Sequence, residues 1–514
     1  MINKADLKIH LTFTPMSNIR RQSIISSILI YVGFAFGALN TYLFTREGGP
    51  FTKEEYGLTG VFMAIGSIMM SVATLGMPAY VNKFFPYYKD HLTKNKNDQA
   101  TLALMLSFAG FILVAFGGLF LKNIVGKTFD NSPQVVTYYY WLFPFGLGLT
   151  LFSVLEAFAW HYHKSILSNY LKEVQFRIFV SLLFVLASLG LVKNFDIFIK
   201  VYSLLFLFIA LILFLYLFGS GKISFTLSIS KVTRRFRKKI LLLCSFVWGG
   251  TLIYNLAAVA DTIIIALIFP DGAGMVGLFT FAQYLTSIIQ APQRSIVAAS
   301  VAHLSQAWKD KDYGKINRIY QRSSINQLIF SAGMFCLIWL NYNDAVISLN
   351  LQMEYKTVLN VFLFMGLMRI VDMGTGVSGQ IISTSTFWRF DFITGVILLV
   401  IMLPSNWILT KQLGLIGPAV ANLISFTIYN FIRYLFLLRK FKMQPFTMKS
   451  LVAIILALVC YGICYFLFND KSGIEWLVIR SLLFILLFIG GTFWLKLTPD
   501  LKIVLENLKK RLWK

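Results

Sequence analysis

The chain has 514 residues, of which 57% are hydrophobic and 13% are charged, and its formal net charge is +25. A soluble domain carries about 25% charged residues, so this chain is predicted to have lipid as its main solvent. The basic residues lie in short segments between apolar runs and form no stripe or groove, which argues against nucleic acid as a partner.

Fourteen apolar runs are long enough to cross a bilayer as helices, because a span needs about 20 residues. They occupy 22–44, 58–80, 100–121, 135–158, 174–192, 197–218, 240–268, 273–301, 324–340, 357–383, 392–410, 412–438, 450–468 and 476–495. Gly417 and Pro418 interrupt the twelfth run, which predicts a kink near its outer end. The predicted fold class is an all-α integral membrane protein with about fourteen transmembrane helices.

A basic segment, 219–239, separates the first six runs from the last eight. Its stretch GKISFTLSISKVTRRFRKK holds seven Lys or Arg and no acid, which is typical of a cytoplasmic connector. If the N-terminus is cytoplasmic, the segments on the cytoplasmic side hold most of the Lys and Arg of the chain. The positive-inside rule therefore predicts that both termini are cytoplasmic.

An internal repeat is indicated by two dipeptides that recur at one offset. Gly57 and Lys89, each with its following residue, recur as Gly277 and Lys309 at an offset of 220. The matching offset and hydropathy predict two pseudo-symmetric six-helix lobes around a central cavity. The lobes would be 1–218 and 240–438, joined by the linker 219–239.

The C-terminal part of the chain is predicted to add two helices and a surface helix. Residues 439–495 hold the thirteenth and fourteenth runs. The tail 496–514 has Thr498 as a candidate N-cap and an apolar stripe opposite basic residues, which predicts an amphipathic helix on the inner leaflet.

Two arginines inside predicted spans are candidates for an anionic substrate. Arg294 lies well inside the eighth run, and Arg369 lies near the middle of the tenth. Guanidinium groups remain charged and bind phosphate oxygens in a bidentate manner, and charges at this depth usually face a cavity or a partner. Asp372 shares a helix face with Arg369, so a local ion pair that neutralises itself is the alternative.

Further polar residues within the runs complete the candidate site. The substrate-binding set also includes uncharged polar residues, namely Asn40, Asn255, Gln283 and Gln290, and Gln293 lies beside them. Carboxylates that could bind Na⁺ or H⁺ are Asp261, Asp372 and Glu156. A solvated acid at the membrane interface is the favoured alternative for Glu156. Arg177, Lys200 and Arg480 lie near span ends and are predicted to be structural, with side chains that snorkel.

Enzyme chemistry is not indicated by the sequence. No outer loop is long enough for a catalytic domain, and the chain is expected to use no cofactor or metal beyond a possible coupling ion. Gly272, Gly274 and Gly277 form G-x-G-x-x-G, but they lie between two apolar runs without a βαβ unit. The four cysteines lie inside apolar runs and are predicted to pack in the core.

Several segments carry a resemblance to a known family. They are RQSIISSILIYVGFAFGALNTYLF with the following EEYGL, NLAAVADTIII, GLFTFAQYLTSIIQAPQRSI and LGLIGPAVANLIS. In these segments the sequence resembles the bacterial polysaccharide (Wzx-like) flippases of the multidrug/oligosaccharidyl-lipid/polysaccharide (MOP) exporter superfamily. The resemblance implies a V-shaped bundle of two lobes in the bacterial cytoplasmic membrane.

The resemblance also implies a function. Such a protein moves a polyprenyl-pyrophosphate-linked oligosaccharide, such as an O-antigen, capsule or exopolysaccharide unit, from the inner to the outer leaflet. It does so by alternating access, driven by an ion gradient. Its expected partners, besides the lipid-linked substrate, are membrane lipid and polysaccharide-assembly proteins.

Two alternatives within the superfamily remain. Fourteen spans also resemble the lipid II flippases, which act on a peptidoglycan precursor, and no motif separates the two substrates. A cation-coupled multidrug exporter would usually have twelve spans and a cavity richer in carboxylates.

Overall fold

The computed structural model describes residues 18–498 except 131, 163, 193 and 470. The first nine α-helices are α1 (Asn18–Thr45), α2 (Lys53–Ala73), α3 (Met77–His91), α4 (Gln99–Thr128), α5 (Pro133–Thr137), α6 (Leu142–His161), α7 (Ser165–Asn169), α8 (Phe176–Ser188) and α9 (Phe195–Gly219). The others are α10 (Lys231–Ile268), α11 (Gly272–Lys309), α12 (Tyr313–Ser348), α13 (Val358–Gly374), α14 (Ser378–Ser383), α15 (Trp388–Leu413), α16 (Gly417–Phe441), α17 (Met448–Phe468) and α18 (Ile474–Trp494). A π-helical turn joins α7 to α8.

The predicted all-α membrane fold is confirmed. Every one of the predicted runs coincides with a helix or a broken pair of helices, and the described residues form no strand. Eleven helical stretches are long and apolar enough to cross a membrane, with α15 and α16 counted as one stretch. The described apolar part of α1 is shorter, and α8 has 13 residues after the π turn.

Two predicted spans are broken rather than continuous. The run 58–80 is divided between α2 and α3, where Gly76 has φ +76°, and the run 357–383 is divided between α13 and α14, where Gly376 has φ +61°. A Cβ on Gly76 would lie 2.6 Å from the carbonyl oxygen of Cys244. A Cβ on Gly376 would lie 2.7 Å from Ser323 Oγ. Both breaks thus combine a left-handed backbone with close approach of another helix, conditions that favour glycine.

The predicted kink in the twelfth span is absent. Gly417 begins α16 and Pro418 lies in its first turn, directly after a short 3₁₀ turn that follows α15. Proline is accepted there because the first amides of a helix have no intrahelical acceptor. These two residues therefore start a helix at the end of a tight hairpin.

We call α1–α9 the first lobe and α10–α16 the second lobe, and α2 of the first packs closely against α11 of the second. Near this crossing the lobes are also joined by backbone pairing. The amide of Glu47 donates to the carbonyl of Asn350, and the amide of Gln352 donates to the carbonyl of Thr45. The ammonium of Lys53 forms ion pairs with Asp271 and Glu354. This end of the bundle, which the charge bias assigns to the outer face, is closed.

The linker is bound to the first lobe by hydrogen bonds and is not a flexible tether. Residues 231–239 belong to α10, whose N-cap is Ser230. The amide of Ser230 and the hydroxyl of Thr233 both donate to Asp98 Oδ2, at 2.9 and 2.7 Å. The start of α10 is therefore fixed to α4, while its far end packs in the second lobe.

The two additional helices, α17 and α18, pack mainly on α12. Their shared core contains Cys336 of α12, Cys460 and Cys464 of α17, and Phe484 and Phe488 of α18. The predicted tail helix lies, from residue 499 onward, outside the described residues.

Candidate functional site

A polar cavity of about 680 Å³ lies inside the second lobe. It is bounded by α10, α11 and α13–α16, so its walls come from one lobe and not from both. On α11, Gln283, Thr286, Gln290 and Gln293 line it. They are separated by three or four residues, a spacing that keeps side chains on one helix face. Two of the predicted substrate residues, Gln283 and Gln290, are thereby brought to one wall.

Arg369 lines the cavity from α13, as the sequence position in the middle of a span suggests. Its Nε is buried and has no hydrogen-bond partner in the described part of the chain. Among the described residues Arg369 forms no ion pair with Asp372 within 4.0 Å, but the negative charge of Asp372 acts on the guanidinium through space. An unpaired guanidinium donor in a membrane lobe needs an acceptor, which an anionic ligand would supply.

Asp372, the predicted ion-coupling partner on α13, is held by two amides. Asp372 Oδ2 accepts from Gln293 Nε2 at 3.1 Å, and Oδ1 accepts from Asn430 Nδ2 at 3.2 Å. Thr375 in turn donates to Asn430 Oδ1 at 3.0 Å. This network joins α11, α13 and α16 and fixes the carboxylate at the cavity wall.

A second arginine in the cavity was not singled out from the sequence. Arg433 on α16 forms an ion pair with Asp391 on α15, and its Nε donates to Thr394 at 3.2 Å. Its guanidinium lies 4.0 Å from the ring centroid of Tyr429. Both Arg433 and Asp391 line the cavity. A basic residue inside the apolar run 412–438 was the signal that could have found it.

Asp261 lines the cavity from α10, where its hydrogen bonds join α10 to α15 and α16. Its Oδ1 accepts from Asn406 Nδ2 and its Oδ2 from Asn422 Nδ2, both at 2.6 Å. The other amide oxygens, Asn406 Oδ1 and Asn422 Oδ1, and the nearby hydroxyl of Ser425 on α16 are buried without a partner among the described residues. A carboxylate together with uncommitted amide and hydroxyl oxygens is a set of ligands that hard cations prefer.

Arg294 and Asn255 are close to the cavity but do not line it. Arg294 is exposed on α11, one turn after Gln290, and its charge acts on Arg369. Asn255 Nδ2 donates to Ser71 Oγ at 2.6 Å, so its side chain joins α10 to α2. The structure therefore brings Arg294 near Arg369, and it places Asn255 at an interface between the lobes.

Asn40 and Glu156 lie in the first lobe, away from the cavity. Asn40 is buried and donates to the carbonyl of Arg177 at 2.9 Å, while its Oδ1 accepts from Ser181. Glu156 is buried and pairs with Lys172 at 3.3 Å, so it is not a solvated interface acid. Both have local partners that satisfy them.

The three basic residues predicted to snorkel have acidic partners. Arg177 pairs with Glu173, and Lys200 pairs with Asp196. Arg480 is buried, and pairs with Asp344 while its Nε donates to Asn341 at 2.9 Å. For Arg480 the prediction of snorkelling is wrong, because its head group is directed into the α12–α18 interface.

Solved structures with the same arrangement of helices identify the fold. A structure of the lipid II flippase MurJ in an inward closed conformation matches with a TM-score of 0.72. The match covers 92% of this chain and 99% of the MurJ chain, and the two sequences are 14% identical. An inward-facing MATE family transporter of the MOP superfamily matches with a TM-score of 0.60. This chain has the MOP transporter fold.

The MOP fold is shared at low sequence identity. The MATE structure covers 80% of this chain and 97% of its own at 13% identity. A mutant form of the Vibrio cholerae MATE transporter VcmN matches 83% of this chain with 96% of its own chain, at 13% identity and a TM-score of 0.52. No protein-family model and no curated protein matches the sequence. The neighbours with this fold are transporters and flippases, and the chain is a multi-pass membrane protein of that architecture.

Proposed function

We propose that the protein is a flippase that moves a polyprenyl-pyrophosphate-linked oligosaccharide from the inner to the outer leaflet of the bacterial cytoplasmic membrane. The observation that supports this most is Arg369, whose guanidinium has an unpaired donor in the wall of a polar cavity. A pyrophosphate cannot enter hydrocarbon without a polar, cationic path, since burial of an uncompensated charge is prohibitive.

The cavity offers a division of roles. Arg369, with Arg294 nearby, would bind the pyrophosphate, and Gln283 and Gln290 would bind sugar hydroxyls. Asp372 would hold Arg369 electrostatically without pairing with it, because both of its oxygens accept from amides. Arg433 forms an ion pair with Asp391 in this structure, so it could bind the substrate only after that ion pair breaks.

Asp261 is the proposed ion-coupling residue. Its two asparagine donors leave their own amide oxygens without partners, and Ser425 adds a hydroxyl oxygen. Rotation of either amide would present these oxygens beside the carboxylate, a suitable set for Na⁺. Coupling would follow if ion binding favours one orientation of the lobes.

Alternating access requires the two lobes to rock. The two lobes would separate at the α2–α11 crossing and approach each other at the end of the bundle near the linker. The helix α10 would bend, because its start is bound to Asp98 of the first lobe and its far end packs in the second.

A lipid II flippase is the second candidate, supported by the extent of similarity to MurJ. That match reaches 92% of the chain, against 80% for the MATE structure. An apolar groove of about 300 Å³ lies between α12 and α18, lined by Gly333, Phe484 and Phe488 among others. Such a groove fits a polyprenyl tail, which both kinds of substrate carry.

The test is transport in inverted membrane vesicles with and without Na⁺ and proton gradients. Three substrates are compared, namely a polyprenyl-pyrophosphate oligosaccharide, lipid II and a cationic dye. We expect gradient-dependent flipping of the oligosaccharide, reduced at least tenfold in Arg369→Gln and unchanged in the matched surface variant Arg318→Gln. Exclusive flipping of lipid II would establish the second candidate, and transport of the dye alone would overturn both.

A further inference from the structure

A second, purely apolar groove lies on the first lobe, outside the proposed transport site. Its volume is about 590 Å³, within the range of about 300–1,000 Å³ of ligand pockets. It is formed by α4, α6, α9 and one linker residue, and its lining is apolar throughout: Leu104, Met105, Phe108, Leu151, Leu155, Leu207, Ala210, Leu211, Phe214 and Phe225. No residue of the polar cavity in the second lobe contributes to it.

Three helices form the groove, and a lysine lies just outside each of them, at the end of the helix that is near the linker. Lys94 lies in the turn before α4, Lys164 follows α6, and Lys222 follows α9. Lys164 and Lys222 both lie over the ring of Tyr216, at 5.8 and 4.7 Å from its centroid. A Cβ placed on Gly221 would lie 3.7 Å from Lys94 Nζ. The three ammonium groups therefore converge around the junction of α9 and the linker.

These lysines have no acidic partner. Within the residues that the structure describes, none of Lys94, Lys164 and Lys222 forms an ion pair with a carboxylate. Lys164 and Lys222 instead lie over the aromatic ring of Tyr216, and Lys222 also donates to its hydroxyl. Positive charge at this position is uncompensated by the protein.

The linker holds one aromatic residue over the groove. The hydroxyl of Ser224 donates to the carbonyl of Lys94 at 2.5 Å, and the amide of Thr226 donates to Thr101 Oγ1 at 3.0 Å. Phe225, between them, lines the groove and lies 5.9 Å from the rings of both Phe214 and Phe218. The apolar groove and the cationic cluster are thus joined by three consecutive linker residues.

We propose that this surface binds an anionic phospholipid, with an acyl chain in the groove and the phosphate at the three lysines. Charge complementarity selects this occupant, because an apolar groove that opens toward clustered ammonium groups matches a lipid with a negative head group. Basic pockets between transmembrane helices on the positive-inside face are suited to such head groups. The lipid would fasten the linker to the first lobe, and its binding is independent of the transported substrate.

The experiment measures lipid retained by the purified full-length protein, by native mass spectrometry in phosphatidylglycerol or phosphatidylethanolamine. We expect phosphatidylglycerol to be retained in preference. Each Lys→Gln change at 94, 164 or 222 should weaken retention about fivefold, corresponding to about 1 kcal/mol per basic residue. Leu211→Trp, at an exposed position in the groove, should abolish retention because the indole fills the acyl site.

Matched controls separate this site from general surface charge. Lys122 lies 4.6 Å from the ring centroid of Tyr140 at the other end of α4, and Leu204 is exposed on α9 outside the groove. Lys122→Gln and Leu204→Trp should retain lipid as the wild type does. Equal retention of both lipids, wild-type retention in the triple lysine variant, or no effect of Leu211→Trp would each overturn the proposal.

Discussion

Gly57 and Gly277 lie against each other where α2 crosses α11, and an offset of 220 relates them in the sequence. A Cβ on Gly57 would lie 2.7 Å from the amide nitrogen of Gly277 and would overlap the carbonyl oxygen of Ala273. A Cβ on Gly277 would lie 3.2 Å from the amide nitrogen of Gly57 and would overlap the carbonyl oxygen of Lys53. Because Lys53 and Ala273 are also 220 apart, the contact is reciprocal, as expected at a pseudo-two-fold axis.

Gly57→Val is expected to open the closed end of the bundle. The added side chain has no room, so α2 and α11 must separate. We expect a separation of about 2 Å or more, which is the range of interaxial distances between helices that touch through small and through large side chains. Glu47 and Lys356 are exposed in the two loops that meet at this closed end. Pulsed electron paramagnetic resonance should measure a longer distance between spin labels at these two positions. Gly117→Val is the control, since nothing lies within 4 Å of its Cβ position. An unchanged distance in Gly57→Val would contradict the close contact of α2 and α11 at Gly57 and Gly277.

Na⁺ should stabilise the purified protein through Asp261. A ligand that binds only the folded state at about 100 times its Kd contributes about 2.7 kcal/mol, so the melting temperature should rise with Na⁺ and not with K⁺. Asp261→Asn removes the negative charge while keeping the shape of the side chain, and should eliminate the rise. Asp310→Asn, which alters an acid after α11, should leave the rise intact. If Na⁺ and K⁺ act equally on the wild type, a Na⁺ site at Asp261 is excluded.

Arg480→Leu should strongly destabilise the attachment of α18. The change leaves Asp344 in the α12–α18 interface without its cation, and breaking one partner of a buried pair costs roughly 3–5 kcal/mol. The double variant with Asp344→Leu should recover most of that loss, because no lone charge remains. Thermal unfolding of both variants and of the surface control Lys471→Leu measures the difference. A single variant as stable as the double would refute the role of the pair.

Asp98→Ala should release the linker. Asp98 Oδ2 accepts from the amide of Ser230 and the hydroxyl of Thr233, and hydrogen bonds to a charged group contribute about 1.5–3 kcal/mol each. Opening of the segment 222–239 should become at least about tenfold more frequent, which trypsin detects at its Lys and Arg residues. Asp90→Ala, an exposed acid at the end of α3, should be cleaved at the wild-type rate. The same cleavage rate in both variants would show that Asp98 does not hold the linker.

Much of the fold could be predicted from the sequence, because backbone groups in lipid must be satisfied within helices and an apolar run is therefore a direct signal. The offset between Gly57 and Gly277 was visible as well. The breaks at Gly76 and Gly376 were not, since they depend on helices that approach from distant parts of the chain. Hydropathy also could not tell that Pro418 starts a helix.

Among the candidate site residues, Asp261, Gln283, Gln290, Arg369 and Asp372 line the cavity, and spacing along a helix placed some of them on one face. Arg369 and Asp372 are three residues apart, and both line the cavity. A polar residue in an apolar run signals a need for a partner, but not which helix supplies it, so Asn40 and Glu156 were grouped with the cavity. Asp391 was missed because it immediately precedes the run 392–410, where it looks like a loop residue.

The packing of α17 and α18 on α12 has a consequence for how such proteins can change over time. A hairpin whose contacts are concentrated on a single neighbour can be gained or lost without rearranging the other sixteen described helices. One architecture can then acquire a new lipid-facing surface by extension at its end, with the inherited core left intact.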